Sequence, residues 1–346
     1  MPRRKPGVYL RRSLRLLALA LWIPLSGCSL TEMGVDTMVP VFVKAKDEFN
    51  KETVVRYARE AAPGMLATLD SFALGSPENE ELRLLQAEMH FSFGFGLIED
   101  EDPVWAVAHY RKSRRAALAA LAQEDEDLAA EIEAIDVAKI PERLVGLDDD
   151  AAPPLFWWAM ARGAEINLNK GDPGQVAQVG RVDAVMEWVL GKDDTYFNGG
   201  PHLYFAMRHL ALPVSLGGDP QKGLPHFEAV DRLTHGKHLL PKVMKAKFYA
   251  PGLAATAAGA TVKQVLAAQQ AAWSAYFDGL KAVLDAPDDL WPEQRLSNAI
   301  AKQRALALLE DPEGNNIIPP KDAQNPYSDE GNGDWGDGDG DGDWGD

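Results

Sequence analysis

Three of the four Asp-Pro dipeptides in this chain decide how it divides. Asp102-Pro103, Asp172-Pro173 and Asp219-Pro220 each head a stretch rich in Ala, Leu, Glu, Lys, Arg and Gln. There Asp suits a helix N-cap, and Pro, which has no amide to leave unpaired, suits the first helical position. No run of alternating β-branched or aromatic residues is long enough for a strand. An all-α fold follows. Helical stretches are predicted in pairs: 80–99 with 103–123, 154–169 with 173–190, 201–216 with 220–234, and 261–284 with 291–309. Breakers such as Lys170-Gly171-Asp172-Pro173 and Gly217-Gly218-Asp219-Pro220 separate the members, and connections that short make sequence neighbours antiparallel hairpins.

The pairs carry a repeat. Asp102 to Tyr110 aligns without gaps on Asp219 to Phe227: a capping Asp, Pro, a small residue (Ala106, Gly223) and an aromatic ring (Tyr110, Phe227) one helical turn later. The small residue admits the preceding helix closely and the ring fills the space beside it. This construction resembles the second helix of a tetratricopeptide (TPR) repeat, and Gly217-Gly218-Asp219-Pro220 resembles its turn. A third copy opens at Asp172-Pro173 but has Val176 and Gly180 at the small and aromatic positions. The Asp-Pro spacings of 70 and 47 residues exceed the ~34 of a regular array. The expectation is a divergent TPR-like α-solenoid of antiparallel helix hairpins over residues 41–312. His109 and His226 fall at equivalent repeat positions, which favours a structural role for both.

The ends of the chain differ from its body. Arg3, Arg4, Lys5, Arg11, Arg12 and Arg15 precede an apolar run from Leu16 to Leu25, closed by Leu25-Ser26-Gly27-Cys28. That order is a bacterial lipoprotein signal peptide over residues 1–27, with Cys28 as the acylated first residue and 28–40 as a lipidated N-terminus and linker. The apolar run is about half the ~20 residues a membrane span needs. Cys28 is the only cysteine, so its acylation leaves no thiol for a disulfide. Arg11-Arg12 faintly suggests twin-arginine export, and Ser29 in place of Asp resembles the pattern of lipoproteins sent to the outer membrane. The expected location is the periplasmic side of a bacterial membrane, lipid-anchored. At the other end, residues 313–346 read as a disordered acidic tail rich in Asp and Gly. Asp337-x-Asp339-x-Asp341-Gly342 matches half of a calcium loop but lacks its twelfth-position Glu.

Charge and motif content bound the chemistry. The 346 residues are 46% hydrophobic with a net charge of −17, which becomes −23 when the six basic residues of the signal are removed. Such a charge opposes binding to nucleic-acid phosphates. No metalloprotease, nucleophile-elbow, phosphate-loop or dinucleotide motif is present, so the expectation is a protein without catalytic function, cofactor or metal. His235 and His238 stand one turn apart without an evident third ligand. Leu155-Phe156-Trp157-Trp158 places three consecutive large rings on a helix, where they must point in different directions. Either that helix is buried all round, or some of the rings line a groove. Asn198-Gly199-Gly200-Pro201-His202 is read as a turn meeting a helix N-terminus, a feasible anion site or a plain interhelical turn.

Several landmarks occur in a telling order: Phe156-Trp157; Tyr196-Phe197-Asn198-Gly199-Gly200-Pro201-His202; Gly217-Gly218-Asp219-Pro220 leading to His226-Phe227-Glu228; Val243, Ala246 and Tyr249-Ala250; then Arg295-Leu296-Ser297-Asn298 with Ala301, Arg304-Ala305 and Leu308-Leu309. From about Val41 to Asp311 the chain resembles the TRAP-transporter-associated TPR lipoproteins, the TatT component family. The resemblance implies a periplasmic lipoprotein that partners the solute-binding protein of a TRAP-type transporter, forms homotrimers with a pore in each protomer, and handles hydrophobic ligands such as organic acids or lipids. The acidic tail, Val176 and Gly180 depart from that pattern. Expected to line the cavity are Phe156, Trp157, Trp158, Tyr204, Arg295 and Asn298, with Arg295 set to meet a ligand carboxylate. The competing expectation is an outer-membrane TPR scaffold for envelope assembly with no small ligand.

Overall fold

The computed structural model describes residues 30–210, 217–255, 259–320, 323, 326 and 327. The signal peptide, Cys28 and the Asp337-x-Asp339-x-Asp341-Gly342 pattern lie outside them. The longer elements are α1 (Leu30–Asp36), α2 (Val39–Phe49), α3 (Val55–Gly75), α4 (Glu80–Phe93), α5 (Pro103–Glu124), α6 (Glu126–Glu131), α7 (Ile140–Leu144) and α8 (Ala152–Leu168). There follow α9 (Pro173–Val176), α10 (Val179–Lys192), α11 (Tyr196–Leu210), α12 (Pro220–Leu233), α13 (Leu240–Phe248), α14 (Ala250–Leu253), α15 (Val262–Leu284) and α16 (Arg295–Glu310). No strand occurs among the described residues, and the fold is an all-α arrangement of helix hairpins. The predicted stretch 80–99 is α4 extended by a π-helical turn over Gly94–Ile98, and 173–190 is split into α9 and α10. Helix begins at Leu30, within the segment read from sequence as a linker.

The Asp-Pro signals start helices as their chemistry requires. Side-chain oxygens of Asp102, Asp172 and Asp219 accept from the amides of Trp105, Gly174 and Gln221 at 2.9, 2.8 and 3.1 Å, and each following Pro enters the first turn. Asn79 caps α4 through the Leu82 amide, and Thr261 with Gln264 forms a capping box on α15.

Small residues then set how closely the hairpins pack. α4 lies on α5, and a Cβ at Gly94 would stand 2.9 Å from Tyr110 Cε1. α11 lies on α12, and a Cβ at Gly223 would meet the Ala206 carbonyl at 3.2 Å. Between these hairpins α5 packs on α8 and α8 on α10, while α13, α15 and α16 pack on one another beyond α12.

Two large cores result. One gathers buried side chains of α3 to α10 around Tyr110, Phe156, Trp157 and Trp158, and takes Leu296 and Ile300 from α16. The other gathers α11 to α16 around Phe227, Tyr276 and Leu280. Phe95, in the π-helical turn, packs against both. A smaller core joins α1 and α2 to α3 and α4 through Val35, Val39, Leu69 and Leu82.

The repeat reaches one step further than the aligned residues. His109 Nδ1 lies 2.9 Å from His90 Nδ1 on α4, and His226 Nδ1 lies 2.9 Å from His202 Nδ1 on α11. Each hairpin is thus crossed by a pair of imidazoles with one proton between them, and adding a second proton sets two donors face to face. Burial, then the neighbouring histidine, lowers His109 and His226 to about 4. Asp70 caps the first pair, accepting from His90 Nε2 at 2.8 Å. Burial opposes its charge, yet hydrogen bonds from His90, Lys112 and Gln86 hold its carboxyl well below the usual range.

A histidine depressed in the folded state takes up its proton on unfolding at any pH between its folded and unfolded values. Stability from these two groups is therefore full above about pH 6.5 and is lost as pH falls toward about 4. Urea titrations across that window are expected to show a falling midpoint, and His109→Asn with His226→Asn to flatten the slope.

Candidate functional site

A cavity of about 310 Å³ opens at the seam between the two large cores. Glu88, Met89, Ser92, Phe93 and Phe95 of α4 and its π-helical turn form one wall, and Met160, Gly163, Ala164 and Asn167 of α8 a second. Phe197, Leu203, Tyr204 and Met207 of α11 form a third; Leu240 and Met244 of α13 close it from the second core, and Leu296 and Ile300 of α16 complete it from the first. The volume is at the lower end of the ~300–1,000 Å³ typical of small-molecule pockets.

The third wall depends on an unusual backbone. Phe197, Asn198 and Gly199 all take left-handed angles, with φ of 46°, 61° and 79°. For a residue with a Cβ this conformation costs on the order of 1–3 kcal/mol and persists only where surroundings enforce it. The enforcement here is aromatic. Phe197 meets Trp157 edge-on at 4.6 Å between ring centroids and Phe156 at 6.0 Å. A Cβ on the following Gly200 would fall 2.5 Å from Phe156 Cζ. The left-handed turn so formed presents Phe197 and Asn198 to the cavity.

Charged groups reach the walls already paired. Lys46 Nζ donates to both Glu88 carboxylate oxygens at 2.9 and 3.0 Å. Burial raises the Glu88 carboxyl, and Lys46 offsets that rise. Arg208 Nε donates to both oxygens of Asp183 at 3.1 and 3.0 Å, and the Tyr204 hydroxyl donates to the same carboxylate at 2.7 Å. Burial, then the Asp183 charge, raises the Tyr204 hydroxyl well above its ordinary value. Glu99 accepts from the Tyr110 hydroxyl. Of the lining cations, exposed Lys170 has no carboxylate within ion-pair distance among the described residues.

His238 adds a neutral polar group. Burial alone lowers it to about 4, and its Nδ1 has no hydrogen-bond partner. Its Nε2 lies 3.4 Å from Ser297 Oγ, the nearest approach of a hydroxyl and an imidazole in the lining, but no carboxylate orients the ring. The arrangement suits containment of an apolar molecule.

The residues expected from sequence to line the cavity divide by depth. Tyr204 lines it. Phe156, Trp157 and Trp158 are fully buried one layer behind, where Phe156 and Trp157 buttress Phe197. The Trp157 indole donates to Tyr196 Oη at 3.2 Å, and that of Trp158 to Glu133 at 3.4 Å. Asn298 is also buried. Its side chain accepts from the Leu239 amide at 3.1 Å and donates to the Lys237 carbonyl at 3.0 Å, clamping the residues on either side of His238. Arg295 lies between two lining residues, Gln294 and Leu296, but its charge acts on Glu52. His235 takes a left-handed angle at the end of α12, φ 52°, and the described residues hold no group of three potential metal ligands. Phe197, Lys170 and His238 are among the wall residues not expected from sequence. The Tyr196–His202 motif contained the signal for the first, in the placement of its two glycines.

The profile of one protein family, described as TRAP transporter T-component, matches residues 51–314. No curated protein matches the chain.

Gly200 tests how the third wall is held. Gly200→Ala forces Phe156 to move and is expected to destabilise the protein by about 1–3 kcal/mol, read by urea titration. Quenching of tryptophan fluorescence by acrylamide should rise as Trp157 loses its cover.

Proposed function

This chain belongs to the TRAP transporter T-component family and is an accessory component of a TRAP transport system in the bacterial envelope; from that premise we propose that it docks the system's periplasmic solute-binding protein and passes a hydrophobic ligand. The single observation that carries this reading is the apolar cavity walled by both cores. Packed protein interiors leave few voids larger than a water molecule, so a hollow of this size lined by Met, Phe, Leu and Ile is built for contents. The chemistry is containment and transfer, with no catalytic step.

The ligand's polar end is assigned to Lys170 and not to Arg295. Lys46 and Arg208 are spent on Glu88 and Asp183, and Arg295 is not among the lining residues. Exposed Lys170 is the lining cation free to meet a carboxylate at the rim. The hairpins are read as TPR-like, the chain as acylated at Cys28 and held at the outer membrane, and the assembly as a homotrimer.

Co-purification from native membranes in mild detergent, with mass spectrometry of both proteins and extracted small molecules, tests the reading. A solute-binding protein and an organic acid or lipid are expected. Absence of both from intact protein would favour a scaffold without a small ligand. Ala164→Phe, which fills the cavity from the α8 side, is expected to abolish the bound molecule while leaving the helical circular dichroism unchanged. Lys170→Glu should weaken binding of a fatty acid probe about tenfold and leave its neutral methyl ester unaffected.

A further inference from the structure

The tip of the molecule nearest Cys28 has a composition that the cavity does not explain. α1 turns Val35 into the smallest core and leaves Leu30 84% and Met33 56% exposed one helical turn apart. Leu74, at the C-terminal end of α3, is 81% exposed. It belongs to the same tip, since a Cβ on neighbouring Gly75 would touch Val35 Cγ2 at 3.0 Å and Thr31 Cγ2 at 3.5 Å. Three large apolar side chains are therefore exposed at this tip, two on α1 and one at the adjoining end of α3, on a chain whose net charge is −17.

Beside Leu74 runs a shallow groove that also contains Arg83, Gln86, Lys112, Arg115 and Asp70. Its one carboxylate is satisfied from within: Asp70 accepts from His90 Nε2 at 2.8 Å, Lys112 Nζ at 2.7 Å and Gln86 Nε2 at 2.7 Å. Arg83 donates only to the Pro77 carbonyl and the Gln86 amide oxygen, both at 3.1 Å. Arg115 has no ion-pair partner among the described residues. Arg83 feels the Asp70 charge, but neither guanidinium is ion-paired among the described residues, both lie next to an exposed leucine, and guanidinium is the side-chain group best matched to phosphate.

We propose that this tip, Leu30, Met33 and Leu74 with Arg83 and Arg115, lies against an anionic phospholipid surface, its apolar side chains in the headgroup layer and its guanidiniums on lipid phosphates. The inference rests on the lipoprotein reading of Cys28. Only Ser29 separates Cys28 from Leu30, a reach of at most about 7 Å, so acyl chains in the bilayer hold the start of α1 at its surface. Glu78 and Glu81 stand at the same end of α4, and with the overall negative charge they oppose adsorption of an untethered chain. The acyl chains supply affinity, and the groove sets which way the domain faces.

The test uses the acylated mature protein reconstituted in vesicles of phosphatidylethanolamine and phosphatidylglycerol. Acylation consumes the only native thiol, so Leu74→Cys provides a single site for an environment-sensitive fluorophore. Tyr57→Cys, 59% exposed and on the same helix, lies about 25 Å away along its axis and serves as the control. Brominated lipids are expected to quench the probe at position 74 severalfold more than the one at 57. Adding Arg83→Glu and Arg115→Glu should reduce that quenching to its level on phosphatidylcholine vesicles. Equal quenching at the two positions overturns the proposal, as does shielding of position 74 from aqueous iodide without lipid quenching, which would mean that a second copy or a protein partner covers the tip. Mass spectrometry of the same preparation reads Cys28 separately. A missing acyl mass overturns the lipoprotein reading and this inference with it, whereas an acyl mass with equal quenching overturns the membrane-facing tip alone.

Discussion

The contact of the Phe156 ring with the bare backbone of Gly200 governs much of what surrounds it. A Cβ at position 200 would occupy the space the ring fills, so α8 and α11 approach at a distance only glycine permits. That approach places Phe156 and Trp157 behind Phe197, and their contacts hold Phe197 and Asn198 in angles that their own side chains disfavour. The strained turn becomes part of the cavity wall. Close packing in one place and an opening beside it are thus two results of a single contact.

The same device recurs at both hairpins. Gly94 yields to Tyr110, and Gly223 to the backbone of α11. At each site a hairpin brings two imidazoles within hydrogen-bond distance, so the repeat conserves a polar crossing as well as an apolar one. The two large cores meet at Phe95 and at α16, and the cavity occupies the part of the seam that these contacts leave open.

How much of this could be read beforehand depended on how local each cause is. The Asp caps at 102, 172 and 219 act within three residues, and the pairing of helices followed from connections of a few residues; both were legible. The His109 and His226 equivalence was visible, but their partners His90 and His202 lie on the preceding helices and required three dimensions. Three adjacent rings at 156–158 left open whether their helix is buried all round or lines a groove; they were expected at the cavity surface, and burial places all three behind it. Their place behind the wall depends on the left-handed turn at 197–199, which no helical periodicity encodes. Asn298 was recognisable as a landmark, but its clamp on residues 237 and 239 spans about sixty positions and left no trace in the chain. The helix at Leu30–Asp36 was missed because seven residues hold too little pattern.

The pairing of charges at the cavity wall has a consequence for selectivity. Lys46 with Glu88 and Arg208 with Asp183 cancel close to their source, so the interior carries little net field even though the molecule as a whole is strongly negative. An interior of that kind discriminates by shape and by reluctance to remain in water, and salt in the surrounding medium has little to screen there. External salt would act instead at the rim, where Lys170 is exposed, and leave the hollow behind it unchanged.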